Sequence, residues 1–531
     1  MDIWLLLVIV SLSIYFLIIT IFNKFQSSTK LPPGPPSIPI LTSFLWLRRS
    51  PLQMESLLRS FIAKYGPILT LPTGSSPAIV IADRSIAHKA LLKNAALFAD
   101  RPPALAMSNI ISTHHYNLSS APYGPLWRLL RRNLTSQILH PSRVKSYARS
   151  RKWVLDVLLN RFLSHSRSGT PVCVVDHFQY AMIYLLVNMC FGDKFDETQI
   201  KEIENVEREL LVNLQRFIVL NFWQKLTNIL FRNRKLMFLQ LRRKQEKVLM
   251  PLINARRQAK QERENREYRA KRIETDDDDD EEEEEEFVIL YVDMLLDLEL
   301  PDEKRKLTDD EIVTLCSEFL NAGTDTTSTA LQWIMANLVK YPEIQNKLFV
   351  EMKGVMGDGS REEVKEEDLG KLPYLKAVVL EGLRRHPPVH FVVPHAVKED
   401  TELENYVIPR NGSVHFTVAE MGWDSKVWED PMEFKPERFM KGGEEEEMAG
   451  FDLTGSKEIK MMPFGVGRRI CPAIGLAMLH LEYFIANLVW RFQWKAVDGD
   501  AVDLAEKMEF TVLMKMPLKF LVSICCCRLS L

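Results

Sequence analysis

The sequence predicts a mainly helical globule behind an N-terminal membrane helix, and three observations carry that prediction. Residues Ile3 to Phe22 are uncharged and almost wholly apolar, close to the ~20 residues a helix needs to span hydrocarbon. Thr308-Asp309-Asp310-Glu311 has capping-box spacing, and apolar residues recur behind it at helical intervals until Tyr341-Pro342, a run of about 33 residues or about 50 Å. Leu372-Pro373 opens a further helical stretch with proline at a tolerated first-turn position, and Pro387-Pro388 ends it.

Taken in order, residues 1–23 read as the anchor. A cleaved signal peptide would have a shorter apolar core and a small-residue cleavage site, and none is evident around Gln26 to Ser28. Lys24 and Lys30 follow the span while Asp2 precedes it, so the positive-inside rule puts the C-terminal bulk in the cytosol. Residues 24–36 contain Leu31-Pro32-Pro33-Gly34-Pro35-Pro36, a stiff, extended hinge rather than a flexible linker. Residues 37–531 read as one large domain: 46% apolar and 26% charged content can bury a core, and no linker-like boundary interrupts it.

Eleven of the 70 acidic residues form one tract, Asp276 to Glu286, so the remaining chain with its 68 Lys and Arg is net basic. Such a like-charged block cannot pack, and 274–286 is expected to be a disordered, solvated loop. The basic remainder suits an anionic membrane surface or an acidic redox partner, while no motif supports nucleic acid. Seven cysteines without framework-like spacing argue against structural disulfides. Cys525-Cys526-Cys527 reads as an unmodified tail, with acylation the alternative.

The chemistry concentrates in Phe464-Gly465-Val466-Gly467-Arg468-Arg469-Ile470-Cys471-Pro472-Ala473. A cysteine behind a glycine-bearing turn and ahead of an apolar helix-like segment is suited to hold a haem iron through its thiolate. No second cysteine lies nearby, which argues against zinc and against a CxxC redox pair. A buried structural cysteine is the plainer alternative. Mid-way along the long helix, Ala322-Gly323-Thr324-Asp325-Thr326-Thr327 sets small residues, an acid and hydroxyls where helix propensity is poor. That pattern fits a helix crossing with hydroxyls bonded back to carbonyls, or a local functional purpose. Glu381 and Arg384, three apart, share a helix face, and an exposed pair of that kind is worth only a few tenths of a kcal/mol.

These segments, in this order, resemble the cytochrome P450 enzymes, the haem-thiolate monooxygenases. Phe464, Gly467, Arg469 and Cys471 fall on F-x-x-G-x-R-x-C-x-G, with Ala473 in place of the final glycine. Ala322 to Thr327 matches the oxygen-binding A/G-G-x-D/E-T-T/S, Glu381 and Arg384 match E-x-x-R, and Pro436-Glu437-Arg438-Phe439 supplies P-x-R-F. Wording such as Glu318-Phe319-Leu320-Asn321 and Trp428-Glu429-Asp430-Pro431 is most similar to the plant A-type microsomal branch, family 89, subfamily A.

The resemblance implies a mainly α fold with small β-sheets, holding haem b with Cys471 as axial ligand to iron. It implies that Ala322 and Gly323 leave room for dioxygen and that Asp325 and Thr326 deliver protons for O–O cleavage. Trp127 and Arg131, one turn apart in a W-x-x-x-R, would meet the haem propionates, with Arg469 a third partner and His395 a fourth; a lone strand histidine is otherwise an ordinary core or surface residue. Glu381, Arg384 and Arg438 would form a buried charge cluster.

The implied activity is insertion of one oxygen atom into an apolar small molecule, a plant specialised metabolite or pigment catabolite. The implied location is the cytosolic face of the endoplasmic reticulum. Electrons must come from a NADPH-dependent flavoprotein reductase, because the chain has no dinucleotide fingerprint and no length for a flavin domain. That partner would dock near Arg468. Substrate choice is expected within 104–120, 317–321, 389–393 and 509–514, with His114, His115 and His390 either polar handles or plain surface residues. Two rivals are a haem-thiolate isomerase or dehydratase of hydroperoxides, which would have no need of Asp325-Thr326, and a non-catalytic membrane haem carrier or sensor.

Overall fold

Two apolar strand segments follow the proline-rich stretch near the N-terminus and build a sheet in the first of two units. The computed structural model describes residues 9–17, 30–36, 51–73, 76–103, 106–192, 195–221, 227, 229–273, 288–300, 303–357, 361–440, 451–497, 501–517 and 519–524. The first unit comprises Met1–Pro103, His390–Glu429 and Asp452–Ile470, and the second comprises Ala104–Val389, Asp430–Phe451 and Cys471–Leu531. Residues 9–17 are helical and exposed. The rest of the expected anchor, the acidic loop 274–286 and Cys525 to Cys527 lie outside the described residues.

In the first unit, helix α1 (Pro51–Tyr65) precedes a three-stranded sheet. Strand β1 (Ile68–Thr73) pairs antiparallel with β2 (Ser76–Ile81), and β2 pairs parallel with β3 (Ser413–Phe416). Side chains alternate across the sheet. Leu69, Leu71, Ala78 and Val80 pack with Leu58 of α1, while Ile68, Ile79, Ile81, Val414 and Phe416 enter the unit's larger core with Phe98 and Val466. Burial on both faces explains the continuous apolar run Ala78 to Ile81 in β2. Residues 30–36 run extended, and Thr70 holds them: its N–H donates to Pro33 O (2.8 Å) and its hydroxyl to Pro32 O (2.7 Å). A Cβ on Gly34 would lie 1.9 Å from Thr70 O, so the glycine permits this approach.

The second unit is mostly helical: α2 (Pro125–Asn133), α3 (Ala148–Ser168), α4 (Val174–Phe191), α5 (Glu197–Phe217), α6 (Arg232–Ile273), α7 (Asp309–Lys340), α8 (Pro342–Met356), α9 (Pro373–Arg385) and α10 (Ile474–Arg491). Among the described residues α4 is the helix long and apolar enough to cross a membrane, yet 83% of it is buried, which makes it a core helix; it packs along α7. The capping box at Thr308 and Glu311 is present in full at the start of α7, and Tyr341-Pro342 stops the helix as the sequence predicts. α9 likewise runs between its two proline signals. Strand β4 (Phe492–Ala496), a hairpin of β5 (Glu506–Met508) with β6 (Val512–Met514), and β7 (Lys519–Ile524) supply small sheets. β7 pairs antiparallel with β4 on one edge and with Val172–Cys173 on the other. The mainly α fold with small sheets is thus as expected.

Candidate functional site

The cysteine segment turns because its glycines allow it. In the first unit Gly465 and Gly467 have φ of +66° and +73°, a region costly for residues with a Cβ. A Cβ on Gly467 would lie 2.0 Å from Leu91 O, so this position takes no side chain without moving a backbone. Arg469 Nε donates to Ala99 O (2.8 Å), and Phe464 is half-exposed. His395 is buried, with Nδ1 2.6 Å from Phe98 O and its ring edge-on to Phe416. A carbonyl only accepts, so Nδ1 carries the proton; burial pushes the pKa down to about 3. The neutral ring then offers Nε2 only as an acceptor, which a carboxylate cannot use.

In the second unit Cys471 precedes α10. Its Sγ accepts the Ala473 N–H at 3.4 Å, and Ala473 has φ −103°, so the backbone does not require a glycine there. Burial raises the Cys471 thiol, while the Ala473 N–H and the Arg131 guanidinium favour the thiolate. Arg131 lies on α2 over the Trp127 ring, 5.6 Å from its centroid. Trp127 is buried, and Tyr123 tilts against it at 5.3 Å. The spacing of four residues has therefore placed both on one face.

α7 is buried along nearly its whole length, but Ala322 is exposed and Asp325 and Thr326 are only half-buried. Gly323 does not join that opening: a Cβ there would lie 2.7 Å from Leu186 Cδ1, so its missing side chain admits α4. The hydroxyls bond back along the helix, Thr324 to Leu320 O and Thr326 to Ala322 O, both at 2.7 Å. The motif therefore serves helix packing at Gly323 and buries Thr324 and Thr327, while Ala322, Asp325 and Thr326 line an open turn. Burial raises the Asp325 carboxyl above its ordinary range, against the pull of Arg208.

Glu381 and Arg384 are not a surface pair. Both side chains are 0% exposed and meet through two hydrogen bonds of 2.7 and 2.8 Å. Arg438 Nε reaches the same carboxylate at 3.1 Å. Among the described residues no group of three or more His, Cys, Asp or Glu side chains could hold a metal ion. A porphyrin brings four of its iron's ligands with it and needs little more than one thiolate from the chain. The single thiol, the cation above Trp127 and the open, small-residue turn of α7 fit such a group.

Sequence reasoning missed a buried polar cluster across α5, α6 and α7. Glu207 accepts hydrogen bonds from Gln245, Ser317 and Asn321. No local signal marks it, because three helices far apart in sequence contribute. Of the three expected polar handles, His390 is bonded to Glu55 (2.7 Å) in the first unit, and His115 to Ser120 O (2.9 Å) in the second. His114 is exposed.

Residues 32–524 match the family described as Cytochrome P450. Among curated proteins, the chain is 48% identical to Cytochrome P450 89A9 of Arabidopsis thaliana, covering 96% of this chain and 98% of that protein. It is 30% identical to 5-epiaristolochene 1,3-dihydroxylase of Nicotiana tabacum (95% of each). It is 28% identical to Flavonoid 3'-monooxygenase of Arabidopsis thaliana, over 97% of this chain and 96% of that one. A zebra fish cytochrome P450 solved with progesterone superposes with a TM-score of 0.70 at 19% identity, covering 90% of this chain and all of that one.

Proposed function

Because the chain belongs to the cytochrome P450 family, and two of the members named above are a dihydroxylase and a monooxygenase, we propose that it hydroxylates a small, largely apolar plant metabolite or pigment catabolite. Family membership implies haem with a cysteine thiolate on the iron. In this reading Cys471 is that ligand, and the observation that carries it is the thiol's setting. Burial raises the thiol, and the Ala473 N–H and Arg131 partly offset it in favour of the ionised sulfur that an iron ligand requires.

When bound, the haem supplies dioxygen activation: two electrons and two protons accompany O2, one oxygen atom enters a substrate C–H bond, and the other leaves as water. The chain's own groups do the rest. Trp127 and Arg131 orient the propionates by a donor N–H and a positive charge. Asp325 keeps its proton to higher pH than an ordinary carboxyl does, and Thr326 stands beside it on the open turn. Together they pass protons inward. Phe464, Gly467 and Arg469 carry haem roles on the strength of the motif alone. His395 would have to be protonated to meet a propionate, and its burial opposes that.

The electrons come from an NADPH-dependent flavoprotein reductase meeting the exposed Arg468 side of the cysteine loop. Residues 1–23 anchor the chain to the endoplasmic reticulum by a single span with the catalytic part cytosolic, and residues 24–36 are the hinge to one haem domain. The names of the relatives support the substrate class, since two of them are a 5-epiaristolochene 1,3-dihydroxylase and a flavonoid 3'-monooxygenase.

The test is the carbon-monoxide difference spectrum of the dithionite-reduced chain in membranes. A far red-shifted Soret band that disappears in Cys471→Ser is expected. A histidine-like band, or a thiolate band that survives the substitution, would overturn the assignment.

A further inference from the structure

The polar cluster ahead of the open turn of α7 leaves one acceptor uncommitted. Glu207 on α5 is 2% exposed. Its Oε2 accepts from Ser317 Oγ (2.7 Å), Asn321 Nδ2 (2.6 Å) and Gln245 Nε2 of α6 (2.9 Å). Ser317 Oγ, having given its proton to Glu207, accepts from Gln245 Nε2 (2.6 Å) and Asn321 Nδ2 (3.1 Å). A carboxylate and a committed hydroxyl can take only donors here, so the Asn321 amide is locked with its NH2 towards them. Oδ1 is thereby turned away from Glu207, and among the described residues nothing donates to it.

Asn321 is half-buried and directly precedes the exposed Ala322. At about 100° per residue it lies on the flank of the face shared by Ala322, Asp325 and Thr326. Further hydrogen bonds back the cluster. Arg242 of α6 donates to Gln245 Oε1 (2.6 Å) and to Thr314 Oγ1 (2.9 Å), and Thr314 pairs with Thr113 (2.6 Å). Thr113, His114 and His115 all hold positive φ, 44°, 56° and 73°, so this loop keeps a strained path where it meets α7.

We infer that Asn321 Oδ1 is a specificity-determining acceptor, and that the substrate presents an N–H or O–H donor to it while its apolar body faces the reacting centre. The inference deepens, and rests on, the monooxygenase reading. A substrate without a donor would cover Oδ1 and leave a buried acceptor unsatisfied, so the site rejects pure hydrocarbons of the same shape. Glu207 and Ser317 act through Asn321 as positioning residues.

The full chain, haem-loaded in membranes, is titrated by Soret shift with two matched probe pairs. These are 4-hydroxybiphenyl against 4-methoxybiphenyl, and 2-quinolone against N-methyl-2-quinolone. The unsubstituted chain should bind the donor members about tenfold more tightly. Asn321→Leu should erase that preference, and Glu207→Gln should reduce it, because a glutamine amide can donate to Asn321 and turn its oxygen inward. A preference that persists in Asn321→Leu, or no preference in the unsubstituted chain, including no shift from any probe, overturns the inference. A normal carbon-monoxide band alongside either result means that this inference alone has failed. Loss of that band in the unsubstituted chain takes down the monooxygenase reading with it.

Discussion

Replacing Glu381 by alanine is the sharpest perturbation that the second unit offers. The carboxylate is 0% exposed and is shared by Arg384, also 0% exposed, and Arg438, 9% exposed. It also accepts the Lys435 N–H at 2.8 Å. Its removal leaves both guanidiniums without their anion, with carbonyls such as Pro431 O (2.7 Å from Arg384) as remaining acceptors. Removing one member of a buried pair costs about 3–5 kcal/mol, and the orphaned Lys435 N–H adds about 1 kcal/mol. Whole-domain stability is about 5–15 kcal/mol, so about a third or more of the margin goes. A control has similar spacing without burial: Glu197 and Lys201, 2.9 Å apart, are 54% and 57% exposed, and Glu197→Ala should cost no more than about 0.5 kcal/mol. The assay is urea unfolding of the detergent-solubilised chain by circular dichroism, with haem content measured in parallel. Glu381→Ala should lower stability by at least about 4 kcal/mol and abolish haem retention. Replacing Glu381 and Arg384 together by Leu and Met should cost less than the two single changes summed. A Glu381→Ala shift no larger than that of Glu197→Ala would refute the reasoning.

Gly467→Ala should destabilise the first unit by at least about 2 kcal/mol, through left-handed strain and the clash with Leu91 O; an unchanged thermal midpoint would contradict it. Thr326→Ala should keep haem and stability but cut product per NADPH at least tenfold while peroxide rises, and an unchanged product-to-NADPH ratio would remove Thr326 from proton delivery. Burial raises the Glu482 carboxyl from 4.5 to about 7. The native state therefore binds a proton that the unfolded chain releases, and its contribution to stability is lost as pH rises from about 4.5 through about 7. Glu482→Gln should accordingly raise stability at pH 8 by up to about 3 kcal/mol and do nothing at pH 4. Equal effects at the two pH values would exclude that cause.

Much was legible in the chain because the relevant physics is local. The Thr308 cap, the Tyr341-Pro342 stop and the proline limits of α9 are decided by which backbone groups lack partners at a helix end, and a few neighbouring residues settle that. The cysteine segment announced itself for the same reason, since turn glycines, cation and thiol lie within ten residues. What tertiary structure alone decided depends on which distant atoms meet. Only packing made Glu381 and Arg384 a buried cluster rather than a surface pair, assigned Gly323 to Leu186 instead of the open turn, and bonded His395 to Phe98 O. The cluster of Glu207, Gln245, Ser317 and Asn321 has no trace in any local pattern, because burial and hydrogen-bond partnership are properties of three helices together and not of any one of them.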